Sequence, residues 1–234
     1  MKYALVTGST KGIGYAIAEK LIGRGFYVFF NYAHDDTVKI PFPEECRLLI
    51  KADLSTLNGV ETLSDAILKK TNQLDCVVFN AGTTCREPFV DITYDNWQRV
   101  MDTNVNVPFF LLQKLSDSIA ENGSLVFISS TLSLKPHAIS IPYGVSKAAV
   151  NMLAMTLVKE FAPRGIRVNV LCPGFIETEW QKEKPEWLRE KIASKVAVRR
   201  FGEPGEVADA CMNLIDNSYI NGTILTVDGG YDTE

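Results

Sequence analysis

The stretch Tyr3-Ala4-Leu5-Val6-Thr7-Gly8-Ser9-Thr10-Lys11-Gly12-Ile13-Gly14 decides how this chain is read. It opens as a short apolar run of strand type and ends where a helical apolar pattern begins. Between them the glycines are spaced G-x-x-x-G-x-G. Such a turn places residues without a Cβ where the backbone bends sharply or must come close to a ligand. A helix starting there offers unpaired N–H groups and the positive end of its dipole to an anion such as a pyrophosphate. The spacing differs from the commoner G-x-G-x-x-G turn. Its position, at a strand end and a helix start, is what points to a nucleotide.

Working outward, runs of the same strand type recur at residues 3–7, 26–31, 47–52, 76–79, 124–129, 166–171 and 223–227. Helical patterns lie between them at about 12–24, 57–70, 94–121, 142–161 and 204–217. Near-continuous apolar strands alternating with helices predict a seven-stranded parallel sheet covered on both faces, the doubly wound α/β architecture. No repeat or low-complexity linker interrupts the pattern, so residues 1–234 read as a single domain. Two stretches depart from it. Residues 31–47 hold Asp35, Asp36, Pro41 and Pro43, and a proline costs a helix interior about 3 kcal/mol, so a loop with at most one turn is expected there. Residues 179–196 set Trp180, Trp187, Leu188 and Ile192 among many charges, as one amphipathic helix forming a lid at about 175–198.

Composition narrows the classes. With 24 Lys+Arg against 28 Asp+Glu the net charge is −4, and the basic doublets Lys69-Lys70 and Arg199-Arg200 form no stripe for nucleic acid. No apolar run approaches the ~18–20 residues that span a bilayer. Residues 1–8 read as a first strand rather than a signal peptide, so a cytoplasmic protein is expected. Cys46, Cys76, Cys85, Cys172 and Cys211 never stand as C-x-x-C, and His34 and His137 are the only histidines, so no metal site is expected.

The chain resembles the short-chain dehydrogenases/reductases, a family of Rossmann-fold oxidoreductases. The resemblance starts with Thr7-Gly8…Gly12-Ile13-Gly14 and continues in order. Asp53-Leu54 follows the third strand, Asn80-Ala81-Gly82 the fourth, and Asn104 lies in a helix. Ser130 follows the fifth strand, then Tyr143-Gly144-Val145-Ser146-Lys147 and Pro173-Gly174. Phe201-Gly202-Glu203-Pro204 and Val227-Asp228-Gly229-Gly230 close a match that runs from residue 3 to about 231. It implies cofactor contacts from Gly8, Ser9, Thr10, Lys11, Gly12, Ile13, Gly14, Asn31, Asp53, Leu54, Asn80, Ala81, Gly82, Tyr143, Lys147, Pro173 and Gly174. The Ile176 backbone and the Thr178 hydroxyl are expected on the carboxamide. An acidic residue ending the second strand would accept from a free ribose 2′-OH. Asn31 stands there and is neutral, while Lys11 matches the family's basic residue against a 2′-phosphate. Lys11 and Asn31 together favour NADP(H); Asp35 and Asp36 keep NAD(H) open.

Tyr143 and Lys147 are four apart, so both project from one helical face. A free phenol titrates near 10, and a cation within ~4–6 Å lowers it by about 1–3 units. The resemblance makes Tyr143 the acid/base and puts Lys147 on the nicotinamide ribose. Ser130 would sit on the substrate oxygen, and Asn104 would hold a relay water. Ser129 is the rival of Ser130, which the family's serine-to-tyrosine interval selects. The implied activity is NADPH-dependent reduction of a carbonyl to an alcohol, or the reverse. The nearest look is to 3-oxoacyl-(acyl carrier protein) reductases, through the lid and Arg199-Arg200-Phe201-Gly202. The alternatives are an NAD-dependent dehydrogenase of a small sugar or other alcohol, and a regulator that binds NADP(H) without turnover. Residues 148–158 carry only Asn151 and Thr156 as polar residues, a surplus of apolar surface that predicts a homotetramer or homodimer.

Overall fold

Side chains alternate across a strand, and here both sets are apolar, so helices must cover both faces. The computed structural model describes residues 1–35, 37, 39–135 and 140–231. The strands are β1 (Lys2–Val6), β2 (Phe26–Tyr32), β3 (Arg47–Lys51), β4 (Leu74–Phe79), β5 (Ile119–Ile128), β6 (Arg167–Pro173) and β7 (Ile224–Val227). All pair in parallel, in the order β3-β2-β1-β4-β5-β6-β7. Helix α1 (Gly12–Gly23) covers one face together with the C-terminal helix Pro204–Asp216, closing over Ala4, Val6, Val28, Phe30, Val78 and Val126. On the other face, α2 (Leu57–Leu68), α3 (Tyr94–Met101), α4 (Val107–Leu115) and α5 (Ile141–Phe161) follow in chain order. There Leu5, Phe29, Val77 and Val170 pack against α2, α4 and α5, and Phe79 stacks on Phe127 at 4.5 Å. The chain leaves β1 in one direction and returns to its other side through β4. A crevice therefore opens beyond the carboxyl ends of these strands, where doubly wound sheets bind their ligands.

Four expectations need correction. The helix read as 94–121 is interrupted by a π-helical segment, Asp102–Asn106, and ends at Leu115 before a 3-10 turn, Ser116–Ser118. Pro108 explains part of this, because it has no N–H for the α-helical bond to the carbonyl of Asn104. Strand β5 begins at Ile119, before the polar residues Glu121-Asn122-Gly123 that masked it; the register with β4 shifts in between. The lid is two short helices, α6 (Glu179–Lys182) and α7 (Glu186–Ala193), parted at Pro185, with the C-terminal helix numbered α8. Finally, α5 with its terminal turn, Ile141–Arg164, is long and apolar enough by length and composition to cross a membrane, at mean hydropathy 1.2. Here it lies along the sheet with Lys147, Val150, Asn151 and Ala154 buried.

The 31–47 crossover holds a single 3-10 turn, Glu44–Cys46, among its described residues, as its prolines require. Met152 on α5 is 68% exposed and Phe109 and Phe110 on α4 are also exposed, whereas Met155 packs on the core.

Candidate active site

The turn between β1 and α1 lies at the crevice. Gly12 has φ +56°, in the region that suits glycine, and a Cβ on Gly14 would stand 2.5 Å from Asn80 Nδ2 and from the Gly8 carbonyl. Asn80 explains the crowding: its Nδ2 donates to the carbonyls of Thr7 (3.0 Å) and Gly8 (2.9 Å), tying the β4 end to the turn. Helix α1 has no side-chain cap, so its first amides keep free hydrogens toward the crevice. Gly82 belongs to the same cradle, since a Cβ there would meet Asn104 Oδ1 at 3.2 Å and Lys147 Nζ at 3.5 Å. The cleft measures about 600 Å³. It runs from Gly8, Thr10–Ile13 and Asp53–Ser55, past Asn80–Thr83, to Ser130, Tyr143, Lys147, Pro173, Gly174, Ile176 and Thr178. These residues fit an extended dinucleotide: bare glycine backbone, open amides and a long cleft. No group of three His, Cys, Asp or Glu side chains that could hold a metal exists among the described residues.

Asn31 lines the cleft at the end of β2, and its side chain is spent on holding the cleft walls together. It is 2% exposed and acts as a clamp. Its Oδ1 accepts from Gly8 N (3.2 Å), its Nδ2 donates to the Ala52 carbonyl (3.0 Å), and its backbone pairs with Ser9 through N–H to Oγ (3.0 Å) and carbonyl from N–H (3.0 Å). Ser9, fully buried, is the other half of that clamp. From Asn31 the rim continues through Tyr32, Ala33, His34 and Asp35, and Lys11 lines the same cleft. Hydrogen bonds from Thr37, through Oγ1 (2.6 Å) and N–H (2.9 Å), hold the Asp35 carboxyl below its usual value, and the Lys11 charge adds to this. His34 Nε2 lies 3.8 Å from Asp53 Oδ2. Asp36 lies outside the described residues.

At the far end, α5 presents Tyr143 and Lys147 one turn apart. Tyr143 and Ser130 line the same cleft, where the Ser130 hydroxyl acts to lower the phenol, and Lys147 Nζ lies 5.6 Å from the centre of the Tyr143 ring. Ser129 points elsewhere, its Oγ donating to the Lys147 carbonyl at 3.1 Å. The electrostatics reverse the expectation that Lys147 lowers the phenol. Burial dominates both groups: Tyr143 is pushed up to about 12 and Lys147 down to about 8. Lys147 spends its proton on the Ile128 carbonyl (2.7 Å) rather than on the phenol oxygen, which leaves desolvation unopposed. At neutral pH the pair is therefore a protonated phenol beside an ammonium.

Asn104, 1% exposed, has its side chain fully committed. Oδ1 accepts from Thr83 N (2.8 Å), while Nδ2 donates to the Thr83 carbonyl (2.9 Å) and to Ser146 Oγ (2.9 Å). Ser146 in turn donates to the Tyr143 carbonyl at 2.8 Å. The sequence reading passed over Ser146, and no local pattern flags a contact between residues so far apart in the chain. Leu54, Ala81 and Ile176 line the cleft as expected, and Ile176 bridges to Gly202. Trp180 of α6 sets its ring edge-on to Tyr143, with centroids 6.0 Å apart. The lid is latched by Arg189, which reaches Glu177 at 2.5 Å and covers the Phe201 ring at 4.8 Å. Cys85 is buried, and His137 lies outside the described residues.

A doubly wound sheet with a glycine turn at its switch point and a serine–tyrosine–lysine cluster at the same cleft defines a nucleotide-dependent oxidoreductase architecture. Comparison with known proteins agrees. A family model described as enoyl-(acyl carrier protein) reductase matches residues 8–232. Glucose 1-dehydrogenase 2 of Bacillus subtilis is 35% identical over 98% of this chain and 94% of its own length. The 3-oxoacyl-(acyl-carrier-protein) reductase FabG of Aquifex aeolicus is 31% identical over 98% and 96%. Among solved structures, a blue fluorescent protein from a metagenomic library in complex with NADPH superposes with TM-score 0.92 at 28% identity, covering 98% and 97% of the two chains. The chain belongs to the short-chain dehydrogenase/reductase family. The names of these relatives span more than one substrate, so membership leaves the substrate open.

Proposed function

We propose that the protein reduces a carbonyl to an alcohol at the expense of NADPH, with Tyr143 as the proton donor. The observation that carries this is the Tyr143 phenol, protonated at neutral pH, sharing with Ser130 and Lys147 the cleft that begins at the glycine turn. When bound, a reduced nicotinamide supplies the hydride that goes to the carbonyl carbon. Ser130 donates a hydrogen bond to the carbonyl oxygen, and Tyr143 gives that oxygen its proton as negative charge builds there. Lys147, still an ammonium below its value of about 8, holds the ribose and stabilises the phenolate left behind. Asn104 contributes its main-chain carbonyl, whose α-helical donor Pro108 lacks, to the water that returns a proton; its side chain fixes Thr83 and Ser146. Lys11 meets a 2′-phosphate at the rim, as the NADPH held by one structural neighbour also suggests. A 3-oxoacyl thioester is the favoured substrate, in keeping with the reductase relative.

Asp35 favours a second reading, NAD-dependent oxidation of a small sugar or other alcohol, because an ionised carboxylate at the rim repels a 2′-phosphate. A panel of ketones and alcohols, followed by the absorbance of the reduced nicotinamide with NADPH and NADH in parallel, separates the two. Turnover of a ketone with NADPH preferred supports the first; NADH preferred with an alcohol substrate supports the second. The exposed Met152, Phe109 and Phe110 support a homotetramer or homodimer. Light scattering after size exclusion tests this, and a mass near the 26.0 kDa of one chain contradicts it.

A further inference from the structure

Between residues 148 and 158, helix α5 carries two polar side chains, Asn151 and Thr156. Thr156 is exposed and donates to the Met152 carbonyl of its own helix at 2.9 Å. Asn151 is 7% exposed, and a polar group buried in that way costs stability unless it is hydrogen-bonded. It stands four residues after Lys147 and eight after Tyr143, so the three follow one stripe along α5. Its Nδ2 donates to Ser133 Oγ at 2.8 Å, and Ser133 Oγ donates to the Ser130 carbonyl at 2.5 Å. The Ser133 N–H donates to the same carbonyl at 3.0 Å, closing the 3-10 turn Thr131–Ser133 behind Ser130. Cys172, fully buried on β6, completes the cluster, with Sγ 3.7 Å from Ser133 Oγ and 4.0 Å from Asn151 Oδ1.

Chemistry fixes the direction of every proton in this chain. An amide nitrogen only donates, so Ser133 Oγ accepts from Asn151, and its single proton is left for the Ser130 carbonyl. Ser130 Oγ accepts from the Leu132 N–H at 3.2 Å, inside the turn that Ser133 closes. With that lone pair occupied, the Ser130 O–H remains as a donor for the cleft that Ser130 lines.

We propose that Asn151 and Ser133 are positioning residues that hold Ser130 in place as a hydrogen-bond donor to the substrate oxygen. This rests on the carbonyl-reductase reading above and adds how its serine is oriented. One helix then carries the phenol, the ammonium and the anchor of the serine turn, so α5 sets the placement of Ser130 relative to Tyr143.

The test is a double-mutant cycle. Ser133→Ala and Asn151→Ala are each made alone and on Ser130→Ala, with steady-state and single-turnover rates taken on a ketone that wild type reduces. A misplacement of about 1 Å can cost ~10² in rate, so a loosened donor is expected to lower kcat about tenfold in each single variant, with KM within about threefold of wild type. Removing the donor itself in Ser130→Ala should cost ~10²–10³. Because the network acts through Ser130, adding Ser133→Ala or Asn151→Ala to Ser130→Ala should change the rate by less than about twofold. An unchanged kcat in both single variants, or a further tenfold loss on top of Ser130→Ala, overturns the proposal and leaves the reductase reading intact. Hydrogen exchange over residues 128–134, followed by mass spectrometry, reads the turn without turnover. Faster exchange there in both single variants, with no carbonyl or alcohol turned over by wild type, keeps the network and sinks the reductase reading. Exchange unchanged in both overturns the network.

Discussion

Replacing Asn31 with alanine separates a clamp from a cofactor reader. The side chain is 2% exposed and serves Gly8 N and the Ala52 carbonyl, at 3.2 and 3.0 Å. Its loss leaves one donor and one acceptor without partners, away from bulk water. Each such group costs ~1–3 kcal/mol, so the variant should lose about 2–4 kcal/mol after partial relaxation. For a domain of this size ~1 kcal/mol moves Tm by ~2–4 °C, so a fall of ~5–15 °C is expected. The Gly8 amide also sets the glycine turn, so affinity for NADPH and NADH should drop by similar factors. Thermal melts by circular dichroism, with fluorescence titration of both cofactors, read the two effects. A Tm within 2 °C of wild type, together with loss confined to one cofactor, would refute the clamp and restore Asn31 as a reader of the ribose.

If Lys11 meets the 2′-phosphate as proposed, Lys11→Ala should weaken NADPH by no more than ~1.5–3 kcal/mol while barely touching NADH, which lacks that group; equal losses in a titration of both would point to a damaged turn. The buried ammonium of Lys147, held down to about 8 against 10.5 in the unfolded chain, makes the unfolded state the greater proton binder between those values. The lysine therefore costs folding below pH 8, and that cost is relieved as pH rises from about 8 toward 10.5. Urea melts should then show wild type gaining stability relative to Lys147→Met across that window, and a constant difference would contradict the burial argument. Taking the difference cancels the opposite trend from buried groups with raised values, Tyr143 and Cys76 at about 12 and Cys211.

Much of this fold is legible because parallel strands buried on both faces read as continuous apolar runs. Val77-Val78-Phe79 and Leu125-Val126-Phe127-Ile128 need no alternation to be recognised. The site is legible where local spacing carries geometry: the glycines of the β1–α1 turn, and Tyr143 and Lys147 one turn apart. What stays hidden depends on contacts distant in the chain. Asn31 turns inward because Ser9 and Gly8 meet it there, and Ser146 acquires its role from Asn104. The break at Asp102–Asn106 was half-visible, since Pro108 announces a missing N–H, but not the buried amide that accompanies it. The direction of the Tyr143 shift was misjudged because a charge-pair argument ignores desolvation, which only the packed structure reveals. The C-terminal Asp228-Gly229 match gains its reason only in three dimensions, where a Cβ on Gly174 would stand 2.6 Å from that of Asp228.

The central claim is that the Tyr143 hydroxyl delivers the proton while the rest of the cleft binds the cofactor. Single-turnover and steady-state rates of Tyr143→Phe, on whichever ketone wild type reduces, measured beside its affinity for NADPH, test this most directly. General acid removal typically costs ~10²–10⁴ in rate, so kcat should fall by that factor with the NADPH affinity within about threefold of wild type. A variant that keeps a kcat close to wild type would contradict the account.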